Sequence, residues 1–205
     1  MKEFLDIGIT PSVRLAQEEM GTAHIWEKMK GKRVFDLADE RQADFIRARD
    51  SFYMATVSET GWPYVQHRGG PKGFIKVIDD TTLAFADFAG NKQYLSLGNA
   101  RANDRAALIL VDYPHRARMK IYARLEFVSA QERPDLAELT AVPGYRAKIE
   151  RIAILHVEAL DWNCPQHITP RFTQEEIAEA MAPVKAKLDV LEAENVRLKA
   201  RLGEP

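Results

Sequence analysis

From Met119 to Phe127 the residues Met119, Ile121, Ala123, Leu125 and Phe127 alternate with Lys120, Tyr122, Arg124 and Glu126, and Arg118 extends the polar set. Successive side chains of a strand point to opposite faces, so a period of two commits this segment to a strand with one face buried. The same period begins at Ser51, where Phe52, Met54 and Thr56 alternate with Tyr53, Ala55 and Val57. Glu59-Thr60-Gly61 is a turn signal, and Trp62-Pro63-Tyr64-Val65 returns from it, which predicts a β-hairpin. Phe74–Ile78 and Thr82–Ala86 flank a turn at Asp79-Asp80 and make a second pair. Ala106–Val111 is apolar throughout and predicts a strand covered on both faces; Ile152–Leu160 is the last strand, with His156 as a satisfied structural histidine. Six or seven strands joined mostly by short turns predict a mainly β chain with flanking helices (α+β), built as a closed or nearly closed antiparallel barrel.

Helices are expected outside the strands. Thr10-Pro11-Ser12 starts one that ends at Gly21, and Asp39–Ile46 carries a second helical pattern with a short apolar side. Gly90 to Asn103 breaks the alternation and predicts a short helix carrying Tyr94, Leu95 and Leu97. Thr173-Gln174-Glu175-Glu176 is a capping box. After it Ile177, Met181, Val184, Leu188, Leu191, Asn195, Leu198 and Leu202 recur at spacings of four and three. A single asparagine in an apolar seam, with Lys187 and Glu194 set to face Glu192 and Lys199 of a partner helix, predicts a parallel two-stranded coiled coil. Pro183 removes a helical hydrogen bond, so the seam is expected to start only there. The organisation read from these patterns is a helical segment over 1–48, a barrel domain over 49–172 and a coiled-coil helix over 173–205.

Composition narrows the function. Cys164 is the only cysteine, which excludes an intrachain disulfide and suits a reducing cytoplasm. Acids in the first six residues argue against a signal peptide, and no run of eighteen apolar residues offers a membrane span. A net charge of −1 argues against a general nucleic-acid binder. The charge is uneven, however. Residues 64–124 hold ten basic and five acidic side chains between acidic flanks, as suits a small anionic ligand. The phosphate loop, the dinucleotide glycine motif, the nucleophile elbow and the H-E-x-x-H zinc motif are all missing. His24, His67, His115, His156 and His167 are dispersed, so no metal site is expected.

Three polar clusters remain. Gln66-His67-Arg68-Gly69-Gly70-Pro71-Lys72-Gly73 follows a strand, with Gln66 and Arg68 on one face, His67 on the other, and glycines that allow close approach to a flat or anionic ligand. Asp87-Phe88-Ala89-Gly90-Asn91-Lys92-Gln93 lies at a strand-to-helix junction, where free N–H groups and a lysine can hold a phosphate. Asp161-Trp162-Asn163-Cys164-Pro165-Gln166-His167-Ile168 closes the last strand with two rings, two amides and a thiol, more chemistry than a turn needs.

These clusters, together with Arg49-Asp50-Ser51-Phe52, Asn103-Asp104-Arg105-Ala106-Ala107-Leu108 and Arg118–Arg124, resemble the pyridoxamine 5′-phosphate oxidase-like flavin-binding family over roughly residues 40–172. The resemblance implies a split antiparallel β-barrel homodimer with FMN in clefts at the subunit interface. It places Gln66, His67, Arg68 and Gly69 on the strand beside the flavin. Asn91, Lys92 and Gln93 fall at the phosphate, with Asn91 where the family has an arginine. Arg118, Lys120 and Arg124 lie on a second basic strand, and Trp162, Cys164, Gln166 and His167 in the closing loop. In the authentic oxidases an arginine-bearing segment holds the vitamin B6 substrate; here that region is Cys164-Pro165-Gln166-His167 with Arg171, which argues against that substrate. The expectation is an FMN-dependent oxidoreductase passing hydride or electrons between FMN and a small organic or nicotinamide substrate such as NAD(P)H. The alternative is a flavin- or haem-binding store or sensor without catalysis.

Overall fold

A computed structural model describes residues 1–31, 34–163 and 165–203. The chain divides into two compact units, one of Met1–Asp112 with Arg116–Gln166, the other of Tyr113–His115 with the residues from His167 onward. In the first unit four short helices precede the strands: α1 (Phe4–Gly8), α2 (Pro11–Glu19), α3 (Ala23–Met29) and α4 (Glu40–Arg47). Two of them follow from their caps. The Thr10 hydroxyl accepts from the Val13 N–H, Pro11 occupies the first turn, and Asp39 accepts from the Arg41 N–H at 2.9 Å. Sequence patterning predicts only these two. The first, α1, is five residues long, and its apolar anchor Phe4 stacks on Tyr122 at 4.3 Å, a partner more than a hundred residues away.

Seven antiparallel strands follow: β1 (Ser51–Val57), β2 (Pro63–Gly69), β3 (Lys76–Asp79), β4 (Thr82–Phe88), β5 (Arg105–Asp112), β6 (Ala117–Ser129) and β7 (Ile149–Asn163). Helix α5 (Leu95–Ala102) sits between β4 and β5, and α6 (Pro134–Thr140) between β6 and β7. The hydrogen-bonded order is β2-β1-β5-β6-β7-β4-β3. The sheet curls until its two ends face each other through side chains: Phe52 of β1 meets Phe85 of β4 edge-on at 5.3 Å, and Phe74 stacks on Phe52 at 5.8 Å. The fold is therefore α+β, a split antiparallel β-barrel. Its core holds Met54, Leu108, Leu110, Met119, Ile121, Leu125 and Leu155, all buried.

Burial along β6 follows the alternation read from its sequence, with Met119, Ile121, Ala123 and Leu125 inside. Strand β5 departs from its reading. Ala106, Leu108 and Leu110 are buried, but Ala107, Ile109 and Val111 are only half-buried, so among the described residues nothing fully covers the outer face. The histidine of β7 also departs. Its neighbours Leu155 and Val157 take the inward positions, which turns His156 outward, where its ring lies 3.3 Å from Glu126. Helix α6 escapes the sequence reading altogether.

In the second unit α7 runs from Gln174 to Leu202 as one helix, with the capping box formed in both directions between Thr173 and Glu176. Pro183 lies inside it without ending it, so helix exists on both sides of the proline. Among the described residues no helix is long and apolar enough to cross a membrane.

Candidate active site

Strand alternation decides which face of β2 can carry a site. Tyr64, Gln66 and Arg68 are half-buried on one face, while Val65, His67 and Gly69 are exposed on the other. The first face looks into a recess of about 180 Å³ that is also lined by the β4 end, the segment leading into α5, and Phe127, Glu150 and Arg151. Gln66, Arg68, Asn91, Lys92 and Gln93 come together there, five of the residues expected at a flavin.

The floor of the recess is an ion network. The Asp87 carboxylate, only 5% exposed, accepts from Arg68 Nη1 at 2.5 Å on one oxygen. Its other oxygen accepts from Arg151 Nε at 3.0 Å and Nη2 at 2.8 Å. Arg151 also donates to Glu150 at 3.1 Å, and its guanidinium lies 4.8 Å from the centre of the Tyr94 ring. Burial lowers the proton affinity of Arg151, but Asp87 and Glu150 outweigh it and hold the guanidinium above the ordinary arginine range. Arg68 Nε is buried and has no hydrogen-bond partner. Three cations (Arg68, Lys92 and Arg151) thus line the recess against two carboxylates, with one donor unused.

The wall is set by backbone. Lys92 and Tyr94 have φ of 62° and 54°, left-handed conformations that cost non-glycine residues roughly 1–2 kcal/mol each. Asn91 stabilises the bend by accepting from the Gln93 N–H at 3.1 Å. Deeper in, buried Ser96 donates to Gln66 Oε1 at 2.9 Å, which fixes the amide and turns its NH₂ into the donor edge. Arg151, Tyr94 and Ser96 are the functional candidates that sequence reasoning missed, and Asp87, which opens the second polar cluster, had no role assigned to it. The one signal was charge inside apolar strands, because Asp87 and Arg151 are direct cross-strand partners of β4 and β7.

The remaining expected residues lie elsewhere. His67 packs on Tyr53 at 5.5 Å on the outer sheet face. Lys120 is on that face too, its ammonium 4.7 Å from the Phe4 ring, beside an apolar hollow of about 240 Å³ that includes Tyr53, Val65, Ala107 and Ile109. Gly69 and its neighbour Gly70 do not line the recess. A Cβ on Gly70 would fall 2.8 Å from the Phe74 ring, so that glycine serves core packing rather than a ligand. Arg118 pairs through its backbone with Val111 and Asn163. Arg124 bridges Asp104 at 2.7 Å and Glu158 at 3.4 Å. Trp162 packs edge-on against Phe45 at 4.7 Å, beneath Arg41, and belongs to the core margin. Gln166 and His167 are exposed, and Arg171 lies over Tyr113 at 4.9 Å. Cys164 falls outside the described residues.

The donor set fits a flavin phosphate: cations in excess, an unused buried N–H, and amides able to donate and accept. Small-molecule sites usually enclose about 300–1,000 Å³, so the recess matches a part of such a ligand rather than the whole.

The profile of the family described as pyridoxamine 5′-phosphate oxidase matches residues 38–160, more than half of the chain. No curated protein matches the sequence. Among solved structures, HupZ of Group A Streptococcus is 16% identical, with a TM-score of 0.46 over 65% of this chain and 98% of that one. An FMN-binding protein from Syntrophomonas wolfei is 12% identical, with a TM-score of 0.46 over 62% and 90%. A Clostridium acetobutylicum protein related to general stress protein 26 of B. subtilis, of the pyridoxinephosphate oxidase family, is 12% identical, with a TM-score of 0.45 over 67% and 95%.

Proposed function

Because the chain belongs to the pyridoxamine 5′-phosphate oxidase family, we propose that it binds FMN with the phosphate in the recess between β2, β4 and β7. The observation that carries this reading is the excess of cations around Asp87, with Arg68 Nε buried and unused. Arg68, Lys92 and Arg151 would hold the phosphate; Gln66, its amide fixed by Ser96, would donate to the flavin edge. When bound, FMN supplies reversible one- and two-electron chemistry that no side chain provides. The protein supplies charge and orientation.

The recess is too small for the whole cofactor, and this supports a homodimer in which a second copy completes the cleft. The outer face of β1, β2, β5 and β6 is the surface for that copy: Val65 is 61% exposed and Tyr53 41% exposed. His67 and Lys120 lie on this face, so dimerisation would bring them toward the partner's cofactor. No helix able to cross a membrane is present among the described residues, in keeping with a soluble cytoplasmic protein.

The reaction proposed is oxidoreduction, with hydride or electrons exchanged with a small organic or nicotinamide substrate. A second reading, a flavin carrier or sensor without turnover, is favoured by one observation. Both carboxylates of the recess accept hydrogen bonds from Arg151, so neither stands without a protein partner where a substrate would need one. Anaerobic mixing of the FMN-loaded protein with NADH or NADPH separates the two. Loss of the visible flavin absorbance over seconds to minutes is the expected result. A flavin that stays oxidised with NADH, NADPH and pyridoxamine phosphate alike selects the carrier.

A further inference from the structure

We propose that α7 pairs in parallel and in register with α7 of a second copy of this chain, a surface independent of the flavin site. From Ile177 to Leu202 the seam positions recur at spacings of four and three, and seven of the eight are apolar. Each of those seven is 44% exposed or more, so a four-heptad stripe stands uncovered along the helix. Pro183 does not shorten it. The helix is continuous across the proline, which stands two residues after Met181, on the outer side of the heptad and off the seam. Uncovered, such a stripe is costly in water; covered by a matching helix, it is a coiled-coil seam.

The flanking charges select a second copy as that helix. In a parallel pair Lys187 of each helix faces Glu192 of the other, and Glu194 faces Lys199, which gives four opposite-charge contacts from one sequence. Charge alone also tolerates an antiparallel pair, because Lys187 would then face Glu194. Asn195 decides the direction. In parallel register it meets its own counterpart and the two amides hydrogen-bond. In the antiparallel overlap it would lie opposite Val184, as a buried amide without a partner.

Cysteine cross-linking of the full chain tests this. In a Cys164→Ser background, Asn195→Cys places two thiols together across the seam, whereas Val196→Cys places them on the outer side. Mild oxidation is expected to convert most of the Asn195→Cys protein to disulfide-linked dimer and to leave Val196→Cys monomeric on a denaturing gel. Adding Lys187→Glu and Glu194→Lys to the first variant sets like charges at all four contacts and should abolish the cross-link. Mixing that chain with one carrying Asn195→Cys, Glu192→Lys and Lys199→Glu should restore it as a heterodimer. Equal cross-linking at 195 and 196, no cross-link at 195, or an inverted chain that still cross-links with itself would each overturn the proposal. None of these readouts depends on flavin, so this proposal and the FMN reading fail separately.

Discussion

Arg68→Ala is expected to weaken FMN binding by about 10- to 150-fold, because a hydrogen bond to a charged group contributes roughly 1.5–3 kcal/mol. Riboflavin, which lacks the phosphate, should keep its affinity to within about threefold. The asymmetry follows from position: Arg68 is 14% exposed, already oriented by Asp87, and carries the one unused buried donor of the recess. Lys92→Ala should show the same preference with a smaller loss, since Lys92 is exposed and water competes for its charge. Fluorescence titration with the two ligands reads the difference. Equal losses would mean that the two cations touch the flavin ring, and no loss with either ligand that they touch neither part of it.

Asp87→Ala should lower the melting temperature by about 6–12 °C. Removing one partner of a buried ionic cluster costs about 3–5 kcal/mol, and at this chain length each kcal/mol is worth roughly 2–4 °C. The low end applies, because Arg68 and Arg151 are still 14% and 20% exposed and water partly solvates them once the carboxylate is gone. Asp87→Asn should cost less, since an amide oxygen still accepts from one guanidinium. Added FMN should raise the melting temperature of Asp87→Ala more than that of the unaltered protein, because a phosphate can take the place of the lost carboxylate. A drop below about 2 °C would contradict the cluster's role in holding β4, β7 and β2 together.

The predictions rest on a site that was half legible in the sequence, for a physical reason. Gln66 and Arg68 share a face because strand side chains alternate, and Asn91, Lys92 and Gln93 are contiguous; both are local facts. The network that organises them is not local. Asp87 and Arg151 are 64 residues apart and meet only through the β4–β7 register, which no pattern in either strand specifies. The strands of the barrel were legible for the same reason as Gln66 and Arg68. Where the reading departed, long-range packing had decided. His156 faces outward because the barrel core takes Leu155 and Val157 on either side of it, and nothing local leaves the second face of β5 half-covered. Gly70 looked like a ligand-contacting glycine, yet the close approach it permits is to Phe74. Trp162 looked like a flavin neighbour by loop composition, and Phe45 and Arg41 instead pack it into the core margin.

Whether this chain holds FMN can be read from the visible spectrum of the purified protein after incubation with FMN and removal of free flavin by gel filtration. The expected result is a yellow protein with the two-banded absorbance of oxidised flavin, one FMN per chain at saturation, and release of the flavin when phosphate at high concentration competes for the recess. A protein that emerges colourless, with no flavin absorbance at any FMN concentration tried, would contradict it.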